Sequence, residues 1–221
     1  MRALVIGASG GIGAALVAAL RDRGAVVDTL SRRDDGLDVT DEGSVRAALA
    51  PLPDGAFDLV LIATGALEID ETGPEKTLRA FSPEAFLAQV RLNALGPALV
   101  LKHGLRLIPR DRPAAMVALS ARVGSIGDNG FGGWYSYRAS KAALNQLIRT
   151  AAIEVARSHP QAIVAALHPG TVATPLTRKF LGRHPAVEPA TAAARLLEVI
   201  DGLTPEDTGS FRDHAGKQVP W

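Results

Sequence analysis

The sequence predicts an α/β protein: a single doubly wound domain whose sheet of about seven parallel strands carries helices on both faces. Three observations predict it. Short apolar runs alternate with longer stretches of helical periodicity along all 221 residues. The run from Phe57 to Ala63 is too apolar for a strand with one wet face, as a central parallel strand should be. No linker, composition shift or internal repeat divides the chain, and its length suits one full-sized core over 1–221.

Ala3 to Ile6 reads as a buried first strand. Gly11 to Arg23 follows as a helix, with Ile12, Leu16, Ala19 and Leu20 on one stripe and Gly24 as its stop. Ala25 to Leu30 is a second strand, and Gly36-Leu37-Asp38-Val39 a short third. Asp41 caps a helix to Leu49 that Pro51 and Pro53 end. Ser82-Pro83 opens a helix that runs to Ile108, with Pro97 as an irregularity inside it. Ala114 to Leu119 is a strand, Tyr137 to Arg157 a long helix and Ala162 to Leu167 a strand. Pro189 to Ile200 is the last helix and Gly209 to Arg212 the last strand.

Composition removes several classes of function. Lys plus Arg number 24 against 23 for Asp plus Glu, so no charge imbalance favours nucleic acid or an acidic membrane. There is no cysteine, which excludes disulfides, thiol catalysis and thiolate metal sites. The five histidines have no metal-ligand spacing, and no metal is expected. No run approaches the ~20 apolar residues of a membrane span, and the apolar start is too short for a signal-peptide core. A soluble, cytoplasmic protein is expected.

The first strand runs into Gly7-Ala8-Ser9-Gly10-Gly11-Ile12-Gly13 at a helix start, the kind of turn that holds a pyrophosphate. Gly7 lets the strand turn, Gly11 lets backbone approach phosphate oxygens, and Gly13 lets the helix pack close to the sheet. The same stretch contains Gly-x-Ser-x-Gly through Gly7, Ser9 and Gly11, the nucleophile elbow of a serine hydrolase. Position weighs against an elbow, because its oxyanion hole draws on a loop after an earlier strand and eight residues precede Ser9.

Further along, Tyr137 and Lys141 stand four residues apart on a helix, so a phenol and an ammonium share one face. A free tyrosine has a pKa of ~10 and needs a nearby cation to act near neutrality. Lys141 is placed to provide it. The bland reading is a surface Tyr and Lys on an amphipathic helix; the order of glycine turn, strand, loop and helix favours catalysis.

The second strand ends Asp28-Thr29-Leu30-Ser31-Arg32-Arg33, where a dinucleotide fold reads the adenosine ribose. Ser31 and Arg32 suit a 2′-phosphate, so NADP(H) is preferred over NAD(H). Asp28 is a competing acid three residues before the strand end.

Together these residues resemble the short-chain dehydrogenase/reductase family, nearly end to end. Gly7 to Gly13 is similar to its cofactor glycine motif and Asp38-Val39 to the pair that brackets adenine. Ala63-Thr64-Gly65 sits where the family has Asn-Asn-Ala-Gly, with Ile62 and Ala63 replacing the asparagines. Asn93 matches the helix asparagine, Tyr137 to Lys141 the Tyr-x-x-x-Lys, and Pro169-Gly170-Thr171-Val172 with Thr174 the loop that closes over nicotinamide. The stretch 120–137 looks closest to C-factor-like and sniffer-like carbonyl reductases.

The resemblance implies a Rossmann-type fold and an oxidoreductase that interconverts a carbonyl and an alcohol. In it Tyr137 is the acid/base, Lys141 binds the nicotinamide ribose, and Asn93 holds a water that leads protons to the lysine. The family's catalytic serine falls at Ala121; Ser120, one residue early, is the expected replacement and Ser125 the rival. That departure keeps a second reading open, an NADP-binding regulatory protein with little turnover. The family often pairs helices such as those at 85–108 and 141–157 between subunits, which implies a homodimer or homotetramer. Trp134 and Tyr135 line a substrate pocket or pack a loop. The segment from Thr174 to Pro189, with Leu176, Arg178, Lys179, Phe180, Leu181 and Arg183, is expected to cover a small-molecule substrate.

Overall fold

A computed structural model describes residues 1–175, 177–180 and 186–221; of Phe180 it describes the backbone. Leu176, Leu181 and Arg183, expected over the substrate, lie outside the described residues. Six strands form one parallel sheet in the order β2-β1-β3-β4-β5-β6. They are β1 (Arg2–Ile6), β2 (Val26–Leu30), β3 (Leu59–Ile62), β4 (Ala114–Leu119), β5 (Ala162–His168) and β6 (Phe211–Asp213).

Alternate strand residues feed two cores, as a sheet covered on both faces requires. Leu4, Ile6, Val60, Ile62 and Met116 pack on one face, against Val100 of α5 (Gly96–Gly104) and Leu144 and Ile148 of α6 (Tyr135–Val155). Val5, Leu59, Leu61 and Val117 pack on the other. They meet Leu16 and Leu20 of α1 (Gly11–Asp22) and Leu196 and Leu197 of α7 (Pro189–Asp201).

The sheet has six strands among the described residues, not about seven. Gly36 to Val39 is not a strand. The six residues from Ser31 to Gly36 include a short helix, α2 (Arg32–Asp35). The Leu37 amide bonds to Ser31 O at 3.2 Å and the Asp38 amide to Ser44 Oγ at 3.0 Å. Those donors are therefore not offered to the edge of β2. Leu37 and Val39 still bury their side chains.

Asp41 caps α3 (Glu42–Leu49) through Gly43 N, and Ser82 caps α4 (Pro83–Val90) through Ala85 N. The expected helix through Ile108 is interrupted. Residues Arg91–Leu95 form a π-helical turn before α5, with Gly96 N–H on Arg91 O. The irregularity falls one turn before Pro97, whose missing N–H withdraws a donor from Asn93 O.

Candidate active site

The strand order reverses between β1 and β3, so their carboxyl ends splay apart there, where doubly wound sheets bind ligands. A cleft of about 1150 Å³ opens at that point. Its walls include Gly7, Ser9 and Gly10 after β1, Ser31 and Arg32 after β2, Asp38 and Val39, and Ala63, Thr64 and Gly65 after β3. Gly7 has φ +88°, which favours glycine. A side chain at Gly13 would run into Gly7 O, so α1 sits tight against the strand end.

Gly11 meets Thr174 instead of the open cleft. A Cβ on Gly11 would lie 2.7 Å from Thr174 Cγ2. The 169–174 loop thus reaches across to the glycine turn. It is braced by Val187 N on Thr171 O at 3.0 Å and by Ala173 N on Val187 O at 2.9 Å. Val172 is buried, and Gly170 has φ +78°. Pro169 follows β5 directly.

Asn93 is fully buried on the π turn. Its Oδ1 accepts Ala66 N at 3.0 Å, and its Nδ2 donates to Ala66 O at 2.9 Å and to Gln89 Oε1 at 2.5 Å. The side chain therefore holds the loop after β3. A Cβ on Gly65 would lie 2.8 Å from Asn93 Oδ1 and 3.3 Å from Lys141 Nζ. Gly65, Asn93 and Lys141 meet at one point of the cleft floor. Gln89, which fixes the Asn93 amide, was not anticipated; its place one helical turn before Asn93 was the available signal.

Lys141 is 3% exposed, its Nζ donates to Leu119 O at 3.0 Å and lies 5.9 Å from the Tyr137 ring centroid. Burial lowers its pKa to about 8. Tyr137 edges the cavity beside the cleft, yet burial pushes its phenol above the ordinary value. Among protein groups alone, desolvation of the phenol outweighs the help expected from Lys141. Trp134, in the left-handed region at φ +54°, sets its ring edge-on to Tyr137 at 6.1 Å.

No hydrogen bond joins the Ser120 hydroxyl to Tyr137 among the described residues. Ser120 is buried at the end of β4, and its Oγ donates to Asn145 Oδ1 at 2.6 Å. Ser125 is buried too, and its Oγ accepts Asp128 N at 3.0 Å. Arg138, which follows Tyr137 on α6, donates to Gly133 O at 2.9 Å, Gly132 O at 3.1 Å and Val123 O at 3.3 Å. It ties both ends of the loop before the tyrosine to α6. No histidine is hydrogen-bonded to Ser9 among the described residues.

At the adenosine end, Ser31 is buried, and its hydroxyl donates to Asp34 Oδ2 at 3.0 Å. Its amide donates to Asp35 Oδ2 at 2.7 Å. Arg33 pairs with Asp34 at 2.9 Å, and Asp28 pairs with Arg2 at 2.8 Å. Arg32 has no carboxylate partner within ion-pair distance among the described residues. The Asp38 carboxyl lies below its usual range, held first by Thr40 and then by the Arg32 charge. The glycine turn, the close-packed cleft floor, a buried Thr64 Oγ1 without a partner and an unpaired arginine fit a phosphate-bearing dinucleotide.

Comparison with known proteins agrees with this architecture. The family model described as enoyl-(acyl carrier protein) reductase matches residues 7–210. A 1-hydroxy-2-glutathionyl-2-methyl-3-butene dehydrogenase of Rhodococcus sp. (strain AD45) is 35% identical over 99% of this chain and 98% of that protein. C-signal of Myxococcus xanthus is 39% identical over 59% of this chain and 75% of that protein. A short-chain dehydrogenase/reductase from Burkholderia multivorans with bound NADP is 26% identical with a TM-score of 0.81, covering 100% and 99% of the two chains. The carbonyl reductase Sniffer of D. melanogaster shares the fold, with a TM-score of 0.83, 19% identity and coverage of 100% and 99%. A cleft at the sheet's switch point with a glycine turn on its wall, a Tyr-x-x-x-Lys helix whose tyrosine lines the neighbouring cavity, and a match over almost the whole chain make this protein a member of the short-chain dehydrogenase/reductase family.

Proposed function

We propose that the protein is an NADP(H)-preferring oxidoreductase that interconverts a small-molecule carbonyl and alcohol, with Tyr137 as the acid/base. The observation that carries this reading is the buried junction of Gly65, Asn93 and Lys141 beside Tyr137, at the end of a cleft sized for a dinucleotide. A nicotinamide cofactor supplies or takes the hydride. Gly7, Ser9, Gly10, Gly11, Ile12 and Gly13 shape the pyrophosphate end. Asp38 and Val39 bound the adenine, Ala63, Thr64 and Gly65 form the floor, and Pro169, Gly170, Thr171, Val172 and Thr174 form the cover.

Tyr137 holds the proton delivered to the substrate oxygen, and burial keeps the phenol protonated until it is needed. Lys141, buried with a pKa near 8, keeps a cation one helical turn away. Asn93 holds the loop that brings Gly65 against that cation. Ser120 has one hydrogen and gives it to Asn145, so in this reading it supports the loop end instead of holding the substrate oxygen.

NADP preference rests on Arg32. Asp34 and Asp35 stand beside it and oppose a phosphate, so the discrimination is set by one arginine against two nearby acids. The Burkholderia protein with bound NADP supports the assignment.

The exposed apolar residues Leu87 and Leu95 on the 83–95 segment and Leu147 and Ile153 on α6 suit pairing of these helices in a homodimer or homotetramer. A cytoplasmic location belongs to the same reading. Among the described residues no helix is long and apolar enough to cross a membrane.

The test is NADPH oxidation against a panel of aldehydes and ketones, with an ester assay for the serine alternative at Ser9. A second reading, an NADP-binding regulatory protein with little turnover, draws on Ala121 and on the engaged hydroxyls of Ser120 and Ser125. NADPH binding without turnover of any panel member would establish it.

A further inference from the structure

We propose that Glu75 is a positioning residue for Tyr137, anchoring from a distant loop the first turn of the helix that carries the proton donor. This inference rests on the proposed role of Tyr137.

The first turn of a helix has four N–H groups without helical partners, and a local Ser, Thr, Asp or Asn side chain commonly takes one. Helix α6 has no such cap. It opens at Trp134, which sits at φ +54° and gives no side-chain cap bond. The acceptor comes instead from 61 residues away. Glu75 Oε2 accepts Ser136 N at 3.1 Å, and Glu75 Oε1 accepts the Ser136 hydroxyl. The Glu75 carbonyl accepts Trp134 N at 2.5 Å. Glu75 is 6% exposed and Ser136 2%.

A buried carboxylate is costly unless its oxygens are satisfied, and here three bonds from two residues fix one short stretch of chain. A negative charge at a helix N-terminus is also favoured by the helix dipole. Tyr137 is the next residue, and Glu75, Ser136 and Tyr137 share the wall of a cavity of about 200 Å³.

The other end of the same loop is tied down independently. Ala66 is bonded twice to Asn93, and Gln89 Nε2 donates to Leu67 O at 3.1 Å. Residues 63–75 therefore form a strut. One end lies on the cleft floor at Ala63-Thr64-Gly65, and the other holds the turn that aims Tyr137. Misplacing a reacting group by ~1 Å can cut turnover about a hundredfold. An anchor within one residue of the phenol governs that placement, while the cleft residues that take the cofactor keep their own supports.

The experiment compares Glu75→Ala, Glu75→Gln and Ser136→Ala in the full chain. One arm is hydrogen–deuterium exchange over residues 134–140, which needs no substrate. The other is steady-state kinetics with NADPH and the best-reduced member of the aldehyde and ketone panel. Glu75→Ala should speed exchange in the first turn of α6 alone and lower kcat by about ten- to a hundredfold. Its NADPH dissociation constant should stay within about twofold of the unmodified protein's.

Glu75→Gln keeps an acceptor oxygen and should recover most of the lost kcat. Ser136→Ala keeps the amide donor and should fall between the two. Unchanged exchange in Glu75→Ala would overturn the anchor. So would a joint loss of kcat and NADPH affinity, which marks a general structural defect. If Glu75→Ala fails to fold, unaltered exchange and kcat in both Glu75→Gln and Ser136→Ala would overturn it equally. If the unmodified chain reduces nothing on the panel, the functional reading fails, and the exchange arm alone decides whether Glu75 anchors the helix.

Discussion

Replacing Ser120 by alanine separates two roles that differ in size and in kind. Ser120 Oγ and Asn145 Oδ1 are 2.6 Å apart, and the two residues are 4% and 2% exposed. Removing the hydroxyl leaves a buried carbonyl oxygen without its donor. Water does not reach that position readily, so the loss approaches the full penalty of an unsatisfied polar group, about 1–3 kcal/mol. For a domain of this size that corresponds to a fall in Tm of roughly 2–12 °C.

A serine that held the substrate oxygen would behave differently. Its loss would reduce kcat by about 10²–10³-fold with little effect on folding. The expected result is the first pattern, with reduced stability in urea and kcat within about fivefold of the unmodified protein. Pairing the change with Asn145→Leu should cost less than the sum of the single changes, because each removes the other's partner. A hundredfold loss of kcat at unaltered stability would refute the argument and return Ser120 to the substrate oxygen.

Tyr137→Phe should abolish turnover while NADPH still binds, checked by fluorescence titration beside the kinetic assay, since only the transferable proton is lost. Arg32→Ala should weaken NADPH about tenfold or more and spare NADH, as loss of a charged phosphate partner requires; equal NADPH affinities would remove Arg32 from the site. Lys141 binds its proton less tightly when folded, near pH 8 against 10.5. Above pH 8 the unfolded chain therefore holds more protons, and stability contributed at this site rises between about pH 8 and 10.5. The stability of the unmodified protein relative to Lys141→Met should climb over that window in urea titrations, and a difference independent of pH would contradict burial as the cause. Light scattering at micromolar concentration should show a dimer or tetramer, and only monomer would exclude the proposed pairing of α6 and the 83–95 segment.

Much of the fold was legible because the signals were local. Buried runs such as Leu59–Ile62 and capped starts such as Ser82-Pro83 depend on residues within a few positions of each other. The Tyr137–Lys141 spacing and the glycine turn are legible for the same reason. Failures came where the outcome depended on a partner far along the chain or on a choice between two local donors. Gly36 to Val39 has strand-like residues, yet the Ser44 hydroxyl takes the amide that an edge strand would have used. Pro97 announced an irregularity, but its effect was displaced to residues 91–95. The engagement of Ser120 by Asn145 and of Ser136 by Glu75 joins elements whose relative placement only the folded sheet decides.

Asp58 acquires a role from the shape of the strand it precedes. All four residues of β3 are large, apolar and buried, so sliding the strand by one position would exchange its two faces with little change in hydrophobic burial. Polarity within the strand cannot forbid that slip. The marker lies at its entrance. Asp58 accepts Arg2 N through its carboxylate at 2.7 Å, donates its own amide to Arg2 O at 2.9 Å, and receives Ala115 N on its carbonyl at 2.9 Å. Arg112 closes the set with an ion pair. One aspartate thus indexes β3 against both neighbours at once, and it fixes where Ala63-Thr64-Gly65 emerges at the far end. The alignment of the cleft floor is decided at the opposite ends of the strands.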